Sequence, residues 1–261
     1  MQKQLISINI TTGAYRNFVD ELVEMSEKRS SYTCVANVHM LVEAYSNRSF
    51  ASIVNNADMI TPDGMPLTWG LKLLHGVSQD RVAGMDLLPD ILKESERKSI
   101  PVYFYGGTES MLARIRERIP KRYPLLKVAG MFSPPFRDTS PAEIALTAQF
   151  INNSGAKIVF VVLGCPKQEL WMATMKNKIN ATMIGVGGAL PVLLGIQKRA
   201  PRWMQRSGLE WLYRLCQEPR RLFKRYAVTN TIFLFLLCVE FFRIKILRKE
   251  ARFGIRDLGE K

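Results

Sequence analysis

Histidine is almost missing from this chain, with His39 and His75 the only two among 261 residues. The four cysteines, Cys34, Cys165, Cys216 and Cys238, show no Cys-x-x-Cys spacing, and no Asp-x-Asp triplet occurs. A zinc site or a disulfide framework is therefore not expected, no cofactor or divalent cation is called for, and a reducing cytosol is the simplest setting. Met1-Gln2-Lys3-Gln4 runs into a short apolar stretch without a secretory hydrophobic region, so export is not expected. Internal repeats and low-complexity tracts are absent too. What is present is a composition 47% hydrophobic and 10% aromatic, ample for one large α/β domain with a dry core and an appendage. The charge is lopsided: residues 197–261 hold sixteen Lys or Arg against six Asp or Glu, which is +10 of the formal +14. On charge alone the partner of that quarter is nucleic acid, anionic lipid or a diphosphate.

Apolar runs at 5–10, 32–38, 59–61, 102–105, 128–132, 158–163 and 182–186 read as strands. Helical periodicity fills 15–28, 40–47, 85–96, 110–118, 142–153 and 168–178 between them. Alternation of this kind predicts a Rossmann-like α/β domain over 1–195, a mostly parallel sheet with helices on both faces. Ser140-Pro141-Ala142-Glu143 carries a capping box with proline at the first helical position, and 132–139, with adjacent prolines, reads as a loop. Polar loops sit where strands end and helices begin: 60–64, 106–108, 163–169 and 186–189. In a parallel sheet that edge binds ligands, and exposed N–H groups with helix N-termini favour anions, so a phosphorylated ligand is expected.

Residues 196–261 read as a basic, amphipathic helical appendage. Arginines and aromatics interleave at 199–204 and 209–214, and Arg214, Arg221 and Arg225 would share one face of a continuous helix, although Pro219 kinks it or starts a new one. The stretch 227–246 is about the ~20 residues that a membrane span needs, but Glu240 and Arg243 interrupt it. A helix lying in the headgroup layer and flanked by cations fits best, with a buried core helix and a true span as alternatives. The apolar run does not suit a nucleic-acid face, so no nucleic acid is expected; it favours lipid or self-association into a homo-oligomer.

Several residues carry chemistry, each with a plainer alternative. Asp63, at a strand's carboxyl end, can take a proton from an attacking hydroxyl, yet Pro-Asp-Gly is also ordinary turn chemistry. Asn37 can offer donor and acceptor to a sugar or base, or simply cap a helix. Arg81 can neutralise phosphate or pair with a surface acid. Lys167 and Gln168 open a helix after a strand, where an anion or a hydroxyl-rich ligand can sit. Gly106-Gly107 and Gly187-Gly188 suit close backbone approach to phosphate but match no dinucleotide or P-loop fingerprint. His39 sits near Asn37 and is more readily structural than catalytic.

Together, Ala36-Asn37, Thr61-Pro62-Asp63-Gly64, Arg81-Val82-Ala83-Gly84-Met85-Asp86, Gly164-Cys165-Pro166-Lys167-Gln168-Glu169, Val186-Gly187-Gly188-Ala189 and Arg199-Ala200-Pro201 resemble the WecG/TagA/CpsF family of bacterial glycosyltransferases. The likeness runs from about residue 5 to 225 in the right order. It implies metal-independent, inverting transfer of a sugar from a UDP-sugar donor to a polyprenyl diphosphate-linked acceptor, at the cytoplasmic face of the bacterial membrane, for cell-envelope polysaccharide. It further implies Asp63 as the base, Arg81 and Gln168 in the site, Asn37 on the donor, and Arg214 and Arg221 closing over the site from the appendage. Family members often have threonine two positions before that asparagine, where this chain has Val35. A membrane-associated nucleotide-binding module without catalysis is the rival reading.

Overall fold

The computed structural model describes residues 1–28, 30–135, 137 and 140–246. Its centre is a six-stranded sheet built from β3 (Ser31–Ala36), β4 (Met59–Pro62), β5 (Val102–Gly106), β6 (Val128–Phe132), β7 (Ile158–Val162) and β8 (Thr182–Gly185). These lie in the order β4-β3-β8-β7-β5-β6, and every pairing is parallel. All six carboxyl ends therefore share one edge. From β3 the chain moves outward to β4 and then crosses to β5 on the other side, and the resulting reversal opens a crevice beside β3 and β8.

Helices cover both faces. On one lie α1 (Tyr15–Lys28), α5 (Gly84–Arg97), α6 (Glu109–Arg122) and α9 (Ala189–Leu193), which share a core with Val102, Phe104 and Phe160. On the other lie α2 (Val38–Ser46), α3 (Arg48–Asn55), α4 (Met65–His75), α7 (Pro141–Asn153) and α8 (Lys167–Met175), which share a core with Tyr103, Tyr105 and Val159. Alternate residues of β5 thus serve opposite cores, as strand geometry requires. The expected Rossmann-like α/β fold is present.

Three local departures have clear causes. The single strand expected at 5–10 is a hairpin, β1 (Gln2–Leu5) with β2 (Ile8–Thr11), turning through Ile6 at a left-handed φ of 58°. Helix α3 follows α2 directly, Asn47 ending one and capping the other through its Oδ1 to the Phe50 N–H at 3.0 Å. Helix α4 holds Gly70 where a Cβ would meet Leu5 Cδ1 at 2.9 Å, so glycine there serves packing rather than chain breaking. The capping box at Ser140 is formed. Of the loop expected at 132–139, residues 136, 138 and 139 lie outside the described residues, as do Leu247, Arg248 and Lys249.

The C-terminal residues form α10 (Arg202–Arg206), α11 (Glu210–Gln217), α12 (Pro219–Phe241) and a π-helical turn, Phe242–Ile246. Pro219 starts a new helix, so Arg214 and Arg221 stand on separate helices rather than one. Helix α12 rests on α2 and α4 through Thr229, Phe233, Leu236 and Glu240, which recur every three or four residues. Val228, Phe235, Val239 and Phe242 are exposed on the other side. Glu240, which interrupts the apolar run, is 3% exposed and turned toward the protein, within electrostatic reach of His75 and Arg243. The segment Pro219–Lys245 is long and apolar enough to cross a membrane by length and composition.

Candidate active site

The strand ends open into a cavity of about 1030 Å³. At its wall, β4 ends in Thr61-Pro62-Asp63-Gly64, held from two sides: the Asp63 N–H donates to the Ala36 carbonyl at 2.6 Å, and the Val82 N–H donates to the Pro62 carbonyl at 2.9 Å. Gly64 has a φ of 122°, which an L side chain resists, and it leads straight into α4. The turn chemistry seen in the sequence is therefore real, and it aims a carboxyl group into the cavity. Removal from bulk water raises the Asp63 pKa to about 6, with Arg81 and Arg214 pulling the other way.

Arg81 also lines the cavity, but its guanidinium is committed. Nη1 donates to Glu210 Oε2 at 2.5 Å and Nη2 to Asp86 Oδ2 at 3.2 Å. Arg199 closes the ring, with Nη1 at 2.7 Å from Asp86 Oδ1 and Nε at 3.7 Å from Glu210 Oε1. Two arginines and two carboxylates thus tie α11 to the loop beside Asp63. Sequence reasoning missed Glu210 and the pairing of Arg199, because Arg81 and Asp86 lie far away along the chain and nothing local marks the ring.

The opposite wall comes from β7 and β8. Gln168 is buried in the first turn of α8, its Oε1 accepting the Gly164 N–H at 3.2 Å and its Nε2 donating to Glu169 Oε1 at 2.7 Å. Gly187 has a φ of 37° and abuts the same amide. A Cβ on Gly188 would meet Arg214 Nη2 at 2.9 Å, so the Arg214 guanidinium lies directly over that turn. Arg214 makes no ion pair among the described residues, whereas Arg221, exposed at the rim, pairs with Glu218. Lys167 and Gly107 line the cavity as well. Gly106 does not: its φ of 103° and a Val162 carbonyl 2.6 Å from where its Cβ would be make it a packing glycine under the wall.

Asn37 caps α2, its Oδ1 accepting the Met40 N–H at 3.2 Å, which leaves its amide nitrogen for the cavity. Both readings of Asn37 are thus compatible in one side chain. Val35 lines the cavity while Thr33 is wholly buried in β3. His39 lies at the rim with Nδ1 3.7 Å from Glu43 Oε1, and burial, aided by Arg225, lowers its pKa. Among the described residues, no three His, Cys, Asp or Glu side chains gather as metal ligands would. Trp69, Tyr226, Phe233 and Leu237 make the far end of the cavity, beneath α12, apolar.

A parallel sheet that gathers an acid, glycine turns and an arginine without an ion pair among the described residues into one cleft at its strand ends defines a Rossmann-like α/β protein. Within that class, the chain belongs to the glycosyl transferase WecG/TagA/CpsF family, whose sequence model matches residues 3–246. It is similar to an N-acetylglucosaminyldiphosphoundecaprenol N-acetyl-beta-D-mannosaminyltransferase of Bacillus spizizenii strain W23, 30% identical over 222 residues that cover 84% of each chain. The protein of the same name from Bacillus subtilis strain 168 is 29% identical, over 85% of this chain and 86% of the relative.

Proposed function

We propose that this glycosyltransferase moves N-acetylmannosamine from a UDP donor to an N-acetylglucosaminyl diphosphate polyprenol, with inversion and without a metal. The activity for which the two relatives are named supports the acceptor and the transferred sugar. The carrying observation is the placement of Asp63: a desolvated acid poised near neutrality, in the same cavity as Arg214 and Arg221.

In the reaction, the acceptor hydroxyl oxygen attacks the anomeric carbon and passes its proton to Asp63. The bond from that carbon to the diphosphate oxygen breaks, and UDP departs with the electron pair. A single displacement inverts the anomeric centre. Charge builds on the leaving diphosphate, and fixed cations already in place stabilise it without reorganisation, commonly the largest catalytic contribution. Arg214 over the β8 turn and Arg221 at the rim take that part. Arg81 steadies the Asp63 loop and holds α11, Gln168 and Asn37 offer amide groups to the donor, and Gly107, Lys167, Gly187 and Gly188 shape the phosphate cradle, with Gly106 supporting it from beneath.

The apolar end of the cavity, beneath α12, suits the first isoprene units of the acceptor. Because one side of α12 is taken by α2 and α4, the exposed side rests in the headgroup layer of the cytoplasmic membrane face as a peripheral anchor. Residues 1–195 then serve as the catalytic domain and 196–261 as the closing and anchoring appendage. The test is UDP-N-acetylmannosamine with a short-chain acceptor, in EDTA, following UDP release and the disaccharide's anomeric configuration by NMR. A β-linked product in chelator is expected. Donor binding without transfer, or loss of turnover in chelator, overturns the reading.

A further inference from the structure

The mechanism above leaves unused a fully buried acid behind the cavity wall, next to Gln168. Glu169 is 0% exposed, its Oε1 accepts from Gln168 Nε2 at 2.7 Å, and its Oε2 has no hydrogen-bond partner. We propose that Glu169 is a positioning residue: it fixes the polarity of the Gln168 amide, so that Gln168 turns an N–H toward the donor. The inference rests on the glycosyltransferase reading and adds a residue to its site.

The chemistry of the partners dictates the orientation. The Gly164 N–H can only donate, so the amide oxygen of Gln168 faces it at 3.2 Å. The nitrogen must then face Glu169, which supplies an acceptor. One Nε2 hydrogen remains uncommitted, on a side chain that lines the cavity. The slot is shaped for this amide, since a Cβ on Gly185 would stand 2.8 Å from Nε2 and one on Gly187 3.1 Å from Oε1. Loss of the Glu169 acceptor would strand a buried amide hydrogen, which favours flipping or withdrawal of the group. Burial raises the Glu169 pKa to about 7, with hydrogen bonding from Gln168, from its own backbone and from the Cys165 thiol opposing the rise. A neutral acid still accepts through its carbonyl oxygen, so a glutamine at this position can do the same work.

The experiment measures kcat and KM for UDP-N-acetylmannosamine, and UDP affinity by calorimetry, on full-length chains with matched thermal midpoints. Glu169→Gln should stay within about threefold of wild type. Glu169→Leu should lose roughly tenfold or more in kcat/KM, the scale of one stranded hydrogen bond at a charged ligand. Gly185→Ala, which crowds the amide while leaving Glu169 in place, should resemble Glu169→Leu and serves where the leucine variant does not fold. On a Gln168→Ala background the Glu169→Leu loss should shrink to under about twofold, because its target is gone. Equal losses with and without Gln168, or full activity in both Glu169→Leu and Gly185→Ala, overturn the inference alone. An inactive wild type overturns the glycosyltransferase reading together with this one.

Discussion

The C-terminal helices meet the sheet domain along two seams of opposite character. Helices α10 and α11 bury no residue of their own, and α11 is held by the ring of Arg81, Asp86, Arg199 and Glu210. Helix α12 instead inserts Phe233 and Leu236 into the apolar core that it shares with α2 and α4. Paired charges are directional and weakened by salt, whereas apolar burial is neither. The difference teaches that Arg214 rides on the releasable seam, while the proposed lipid anchor rides on the durable one. The proposed mechanism, in which the site admits a donor and then encloses it, draws on this arrangement.

The largest expected effect comes from removing the acid beside the charged seam. Asp63→Asn should lower turnover by about 10²-fold or more, the usual scale for a lost general base, with donor affinity nearly unchanged. Second in size, Glu210→Ala unties α11 from Arg81 and Arg199, which both keep Asp86. A hydrogen bond between charged groups contributes about 2 kcal/mol, so the closed-to-open ratio of α11 should fall by up to roughly thirtyfold. Steady-state kinetics should show that loss in kcat/KM, shrinking with added salt because salt also loosens the wild-type ring, while far-UV circular dichroism stays the same. Third, Phe235→Glu on the exposed side of α12 should weaken binding to anionic vesicles by roughly tenfold or more in flotation assays, with turnover of a soluble short-chain acceptor retained.

The smallest effect is on stability. Asp63 is raised from 3.8 to about 6 in the folded protein, so it binds more protons folded than unfolded between those values. Stability is therefore fully present below pH 3.8 and is lost as pH rises through about 6, where the fold must carry a desolvated charge. Asp63→Asn should accordingly melt higher than wild type at pH 8, with the gain vanishing near pH 4 in calorimetry. An equal melting difference at both pH values would remove the desolvation argument.

How much the sequence disclosed follows the same division. Apolar runs and caps located the six sheet strands, because burial between two helical layers forces long β-branched stretches. The hairpin was read as one strand because its left-handed turn position is held by Ile6 rather than by glycine or asparagine, and α4 was missed because Pro66 and Gly70 look like breakers when one is a first-turn proline and the other a packing contact. Asp63, Asn37 and Gln168 stood out as polar residues at strand ends. Glu210 lay inside an aromatic run, and its partner Arg81 is 129 positions away. Glu169 was visible only as the neighbour of a glutamine. Partnerships across such distances belong to the fold rather than to any local pattern.

The central claim is that Asp63, poised by desolvation against fixed cations, takes the acceptor's proton. The pH dependence of kcat/KM in EDTA, for wild type and Asp63→Asn, tests it most directly. The account predicts a wild-type rate that falls on acidification with a midpoint near 6, and no such fall in the residual activity of the variant. An acid limb unchanged in Asp63→Asn would contradict it.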